Sequence, residues 1–227
     1  MLPRSGTGFY HLAVVLKVCE IFKSIQGEST RAGLPCVFVR LSGCNLGCGY
    51  CDTVYARDEG REMSVEDVGE EVARHGCPLV EITGGEPLLQ PECADLAEGL
   101  LRRGMTVLVE TNGTLPIDRL PDGAIRIMDL KCPGSGECDR TDWTNIDRLT
   151  RRDEVKFVVS GRNDYDWARQ IIAKHRLEDR CGAVLLSPVH GKLDPRHLAL
   201  WMLDDGLNAR LQLQMHKFIW PPQARGV

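Results

Sequence analysis

Val37-Phe38-Val39-Arg40-Leu41-Ser42-Gly43-Cys44-Asn45-Leu46-Gly47-Cys48-Gly49-Tyr50-Cys51 begins as a β-branched run of strand length and turns at Ser42-Gly43 into a loop carrying three cysteines, spaced C-x3-C-x2-C. Gly43 just before the first cysteine, and Gly47 and Gly49 between the cysteines, allow the tight turns by which a loop wraps a metal centre. Three thiolates are one short of a closed tetrahedral zinc site, and no His or Cys nearby has the usual second-pair spacing. An iron–sulfur cubane held by three cysteines leaves one iron open, and a small molecule offering an amine and a carboxylate can chelate that iron. A non-enzymatic zinc-binding module remains the alternative from a different class.

Outward from this loop the chain keeps a strand-and-helix rhythm. Further β-branched runs lie at Leu79 to Thr83, Met105 to Thr111, Ile125 to Leu130, Val155 to Ser160 and Ala183 to Ser187, which with Val37 to Leu41 predicts six parallel strands. Ser64 is placed to cap a helix with Val65, Val68 and Val72 on one face, and Pro91 opens another that ends at Gly104. Further helices are predicted from Asp164 to Leu177 and from Pro195 to Leu203. This alternation reads as α/β. A full (β/α)₈ barrel needs about 250 residues. A strand-like N-terminal extension (Leu16 to Phe22) and an irregular C-terminal tail use some of the 227 available. The expectation is a truncated, open (β/α) barrel forming a single domain over residues 1–227, with polar, glycine-rich turns converging beyond the carboxyl ends of its strands.

Composition narrows the classes. An apolar share of 43% supports a packed core and argues against disorder. A formal net charge of −4, with no long single-sign block, disfavours nucleic acid as a direct ligand. The apolar run Leu12 to Val18 is too short to span a bilayer and lacks the layout of a cleavable signal, so the reading is a soluble, cytoplasmic protein with no membrane partner. Ten cysteines in such a chain point to thiols or metal ligands rather than disulfides. Seven of them, including Cys132 and Cys138, have no paired spacing and read as small buried residues.

The cysteine loop after the first barrel strand resembles that of the radical SAM superfamily, in which S-adenosylmethionine chelates the open iron of a 4Fe-4S cluster. The resemblance makes Cys44, Cys48 and Cys51 the cluster ligands. It places S-adenosylmethionine against Tyr50, Asp52, Gly85 and Glu86 of Thr83-Gly84-Gly85-Glu86-Pro87, Asn112, Lys131, Ser160, and the run Ser187, Pro188, Val189 and His190. Each of the later positions is, taken alone, as readily a cap or turn residue.

Within the superfamily, Glu20 to Glu28 (Glu-Ile-Phe-Lys-Ser-Ile-Gln-Gly-Glu), Gly33-Leu34-Pro35, Phe38 to Asn45, Cys51-Asp52-Thr53 and Gln214 to Trp220, with the final Arg225-Gly226-Val227, resemble the 7-carboxy-7-deazaguanine synthases over nearly the whole chain. The resemblance implies a homodimeric lyase, fed by an electron donor such as a flavodoxin or ferredoxin. Its reaction converts 6-carboxy-5,6,7,8-tetrahydropterin to 7-carboxy-7-deazaguanine with loss of ammonia, for 7-deazapurine (queuosine-type) biosynthesis. Ile25, Gln26, Gly27, Arg40, Thr83 and Val227 are implied substrate contacts, Thr53 a Mg²⁺ ligand, and Glu28 and His216 candidate acid/base groups. The residue types suit a pterin: Gln26 and Glu28 match a donor-rich amidine edge, and Arg40 a carboxylate. Two departures are visible, Ser29 where a glycine is usual and Tyr50 where tryptophan commonly precedes the last cysteine. The nearest rival in the superfamily is an activase that places a glycyl radical on a partner protein.

Overall fold

A computed structural model describes residues 15–227; Leu12 to Val14 of the N-terminal apolar run lie outside them. Nine strands form one open sheet in the order β3-β1-β2-β4-β5-β6-β7-β8-β9. They are β1 (Val15–Ile25), β2 (Pro35–Leu41), β3 (Arg61–Ser64), β4 (Leu79–Gly84), β5 (Thr106–Thr111), β6 (Ile125–Leu130), β7 (Glu154–Val159), β8 (Ala183–Pro188) and β9 (Arg210–Leu211). The six predicted parallel strands are β2 and β4 to β8. The N-terminal strand pairs antiparallel with β2 on one side and β3 on the other. Short β3 and β9 end the sheet at its two edges, so the barrel is open, as its length implied.

Two-residue periodicity separates the faces of the sheet. Val37 and Val39, Val80 and Ile82, and Val107 and Val109 are fully buried in the core that also takes Val68 and Val72 from α1 (Val65–Arg74) and Leu96 and Leu100 from α2 (Cys93–Arg102). The alternate residues, Arg40, Glu81, Thr83, Glu110, Asp129, Lys131 and Lys156, line a cavity on the other face. The Ser64 hydroxyl caps α1 as expected, accepting from Asp67 N at 3.0 Å. The helix foreseen from Asp164 starts two residues earlier, as α3 (Arg162–His175), followed by a single turn, α4 (Leu177–Arg180). Asp194 caps α5 (Pro195–Asp204), accepting from Arg196 N at 2.8 Å.

Two segments close the open side. The loop after β1 crosses from the N-terminal ends of the parallel strands to β7 and the chain beyond β9. There Thr30 N donates to Glu154 Oε2 at 3.0 Å and Ser29 N to Gln212 Oε1 at 2.8 Å. The chain after β9 then docks along that side. Met215 N donates to Gly27 O at 3.1 Å just before the short α6 (His216–Ile219), Lys217 pairs with Asp52 at 2.7 Å, and Arg225 pairs with Glu59 at 3.0 Å. Among the described residues no helix is long and apolar enough to cross a membrane.

Candidate active site

The cavity has a volume of about 790 Å³ and joins two chemically different halves, a cysteine rim and a charged floor. Cys44, Cys48 and Cys51 are free, half-buried and all on its wall. Their loop is held from three sides. The Tyr50 hydroxyl donates to Val158 O at 3.1 Å, and Gly47 N and Gly49 N donate to Glu137 Oε1 and Ser135 O at 2.6 and 3.0 Å. Asn112 Nδ2 donates to Asn45 Oδ1 at 3.0 Å. Gly85 makes the fit: a Cβ there would stand 2.0 Å from Gly43 O and 2.9 Å from Cys44 Cβ, so the end of β4 touches the loop backbone directly.

These residues suit a cubane better than a single ion. Among the described residues no three His, Cys, Asp or Glu side chains converge closely enough to hold one metal ion. A cubane asks instead for one thiolate at each of three corners. Burial raises the Cys48 thiol, opposed by the Lys131 ammonium. Lys131 stays a cation despite burial, held there by Asp129 at 2.7 Å and by Cys48; a loaded anionic cluster would find that charge beside it.

Tyr50, Asp52, Gly85, Asn112, Lys131, Val189 and His190 reach the cavity. Glu86, Ser160, Ser187 and Pro188 do not line it. Glu86 is fully buried and its carboxylate is occupied, by Leu88 N at 3.0 Å and Thr111 Oγ1 at 2.8 Å on Oε1 and by Asn112 N at 2.6 Å on Oε2, so it caps the turn Pro87–Leu89 rather than facing a ligand. The Ser160 hydroxyl donates to Asp164 at 2.6 Å. Ser187 is buried without a hydrogen-bond partner among the described residues, and Pro188 borders a smaller neighbouring pocket.

The expected substrate positions Ile25, Gln26, Gly27, Arg40, Thr83 and Val227 all line the cavity, as do Glu28, Thr53 and His216. Arg40 gives Nε to Glu20 at 2.7 Å, and Glu20 Oε1 also accepts from the Tyr55 hydroxyl at 2.8 Å. One edge of the guanidinium is thus fixed, leaving the terminal nitrogens for a ligand. Gly27 gives His216 room, since a Cβ there would lie 2.4 Å from Nδ1. Burial lowers the His216 pKa, outweighing Glu28 and Asp52, so the ring is neutral at neutral pH.

Glu28 does not have the surroundings of a proton acceptor. Its Oε1 takes Gln214 Nε2 at 3.0 Å; its Oε2 takes Lys156 Nζ at 2.7 Å and Gln212 Nε2 at 3.1 Å. Burial alone would raise this carboxyl, but Lys156 and the hydrogen bonds hold it down to about 2. It is a fixed anion.

Four floor residues were not singled out from the sequence: Glu81, Glu110, Asp129 and Lys156. Lys156 Nζ bonds Glu28 and Glu110 and lies 3.7 Å from Asp129 Oδ2. The available signal was a charged residue at alternate positions of strands that otherwise read as fully buried, since unpaired charges are not left in a core.

The sequence profile of the radical SAM superfamily matches residues 38–174, β2 through α3. The 7-carboxy-7-deazaguanine synthase of Koribacter versatilis is 44% identical over 93% of this chain and all of its own length. That of Chlorobaculum tepidum is 46% identical over 93% of this chain and 97% of its own. The chain belongs to the 7-carboxy-7-deazaguanine synthase family. Family membership brings a 4Fe-4S cluster and S-adenosylmethionine. Among solved structures, QueE from Escherichia coli superposes with a TM-score of 0.69 at 24% identity, over 88% of this chain and 93% of that one. Streptococcus suis SuiB bound to S-adenosylmethionine gives 0.53 at 15% identity, over 75% of this chain and 44% of that one. Both likenesses concern the fold, and the nine-stranded open sheet is the form it takes in this chain.

Proposed function

We propose that the chain converts 6-carboxy-5,6,7,8-tetrahydropterin to 7-carboxy-7-deazaguanine and ammonia. The observation that carries this reading is the junction, in one cavity, of a three-cysteine rim with a floor built for a polar bicyclic ring. A protein substrate, as for a glycyl-radical activase, asks for an open groove; here the docked tail walls the cavity.

Cys44, Cys48 and Cys51 would hold the cluster, and Asp52, Gly85, Asn112 and Lys131 would border the coenzyme. When bound, the two supply one-electron chemistry that takes hydrogen from the pterin and returns it. The chain's own task is placement and exclusion of water. Arg40 fixes the substrate carboxylate in a two-pronged grip, and the backbone of Ile25 and Gly27 and the Thr83 hydroxyl border the ring. The terminal carboxylate of Val227 closes the same wall. Neutral His216 can donate or accept at the ring edge. Thr53 is the proposed Mg²⁺ position. A single neutral hydroxyl is a weak ligand, so the ion would arrive with substrate oxygens and water. A homodimer, a flavodoxin or ferredoxin as reductant and a cytoplasmic location complete the reading.

The test is anaerobic reconstitution followed by incubation with the pterin, S-adenosylmethionine and dithionite, with mass-spectrometric detection of the deazapurine and an ammonia assay. Wild-type turnover with none in Cys48→Ala, which should also lose its iron and sulfide, is the expected result. Absence of product from protein carrying a full cluster would overturn the reading. For Mg²⁺, the ion should lower KM in wild type and have no such effect in Thr53→Ala.

A further inference from the structure

Glu81 is the acidic residue of the floor that no cation holds. It is 4% exposed, sits mid-strand in β4 and lines the cavity, yet it forms no ion pair among the described residues. The groups facing it come from every neighbouring element. Glu28 and Gln26 lie on the loop after β1, Cys36 on β2, Glu110 on β5 and Lys156 on β7. Lys156, the one ammonium in that set, is bonded to Glu28 and Glu110.

Hydrogen bonding fixes where a proton on Glu81 must sit. Glu28 N donates to Gln26 Oε1 at 3.0 Å, which sets the amide orientation and turns Gln26 Nε2 toward Glu81. Nε2 therefore donates to Glu81 Oε2, and that oxygen is an acceptor. The other oxygen, Oε1, has no hydrogen-bond partner among the described residues, and its residue borders the cavity. Burial, reinforced by the Glu110 and Glu28 carboxyls and opposed only in part by Lys156 and the Gln26 hydrogen bond, raises the Glu81 pKa well above its ordinary value.

We propose that Glu81 serves as a neutral carboxylic acid whose Oε1–H donates a hydrogen bond to a carbonyl oxygen of the bound heterocycle, making it a specificity-determining residue. This deepens, and rests on, the pterin reading. A pterin and a deazaguanine share an edge with one lactam carbonyl beside N–H donors. Ionised Glu28 suits the donors; a carbonyl needs a donor, and a neutral acid is one. A heterocycle with an amine in place of that carbonyl would meet donor against donor and be rejected.

The experiment compares Glu81→Gln and Glu81→Leu in reconstituted enzyme. Glutamine reproduces the pattern, accepting from Gln26 through its oxygen and donating from its nitrogen, so its KM for the pterin should stay within about fivefold of wild type. Leucine leaves the carbonyl unpaired and should raise KM roughly tenfold or more. Cleavage of S-adenosylmethionine by dithionite-reduced enzyme without pterin shows that the Leu variant keeps fold and cluster. Independently of turnover, isotope-edited infrared spectra at pH 7.5 should contain a protonated-carboxyl band that is missing from Glu81→Gln.

Equal loss in both variants, or a Gln variant that keeps KM and loses kcat tenfold, would overturn the proposal. So would an ionised Glu81 in an active wild type, which leaves the pterin reading standing. A wild type with a full cluster that neither binds nor converts the pterin sinks that reading and the ligand half of this proposal together.

Discussion

Arg40 shows how a residue exposed to a ligand is made rigid before the ligand arrives. Glu20 holds its Nε, the Tyr55 hydroxyl orients Glu20, and the guanidinium carbon lies 5.9 Å from the Phe22 ring centroid. Arg40→Ala should therefore weaken pterin binding at least tenfold while leaving iron and sulfide content at wild-type level, checked by a binding isotherm beside metal analysis. Ser29 is a second case. It stands at φ 64°, where glycine is at ease, and its hydroxyl offsets some of the strain by accepting from Arg31 N at 3.1 Å. Ser29→Val should cost about 1–3 kcal/mol, and Ser29→Gly should change stability by under about 1 kcal/mol, both read from urea unfolding. A glycine would adopt this backbone without strain, and the serine is tolerated there by a local hydrogen bond.

At the scale of elements, the strands were legible because each is a β-branched run bounded by turn residues, and α1, α2 and α5 because Ser64 reads as a cap and Pro91 and Pro195 as helix openers, although α2 itself begins at Cys93. The cysteine loop was legible from its spacing, its place directly after the first barrel strand and the tyrosine before its last cysteine. Strands β3 and β9 were not, since four and two residues carry no periodicity and exist only because β1 and β8 offer unpaired edges. The charged floor was missed for a related reason. Glu81, Glu110, Asp129 and Lys156 sit inside runs that read as strand, and only the parallel register, Asp129 beside Lys156 for example, shows that they meet. Ser160 and Glu86 lie off the cavity because their side chains are used locally, Ser160 donating to Asp164 and Glu86 capping the turn Pro87–Leu89. Lys156 is the keystone of that floor. Lys156→Met leaves buried carboxylates without their cation and should lower stability by about 3 kcal/mol, seen as an earlier thermal midpoint.

For the whole molecule, the floor sets how stability depends on pH. Glu28 is held at about 2, below its ordinary 4.5, so its contribution is complete above pH 4.5 and disappears as the pH falls toward 2. Glu81 works in the opposite sense. Its folded-state value is raised, so the native state binds a proton that the unfolded chain has released, and stability declines as the pH climbs past 4.5. Lys156, also raised, holds its contribution through neutral pH and loses it only at strongly alkaline pH. Stability should peak in mildly acidic solution, and Glu81→Gln should flatten the decline on the neutral side by up to about 1.4 kcal/mol per pH unit, measured by unfolding across pH 4–8.

The seam along the open side is made differently from the rest of the protein. Met215 against Gly27, Lys217 against Asp52 and Arg225 against Glu59 and the Tyr55 ring are separate polar contacts with little apolar area beneath them, whereas β4 to β6 are locked by continuous ladders. Such contacts break singly and at small cost. Backbone amides of residues 214–225 should trade protons for deuterons orders of magnitude faster than those of β4–β6, and bound heterocycle should slow them selectively. The wall that shields the reaction would then also be its gate, so that breathing of a dozen residues, with the sheet left intact, governs when substrate enters and product leaves.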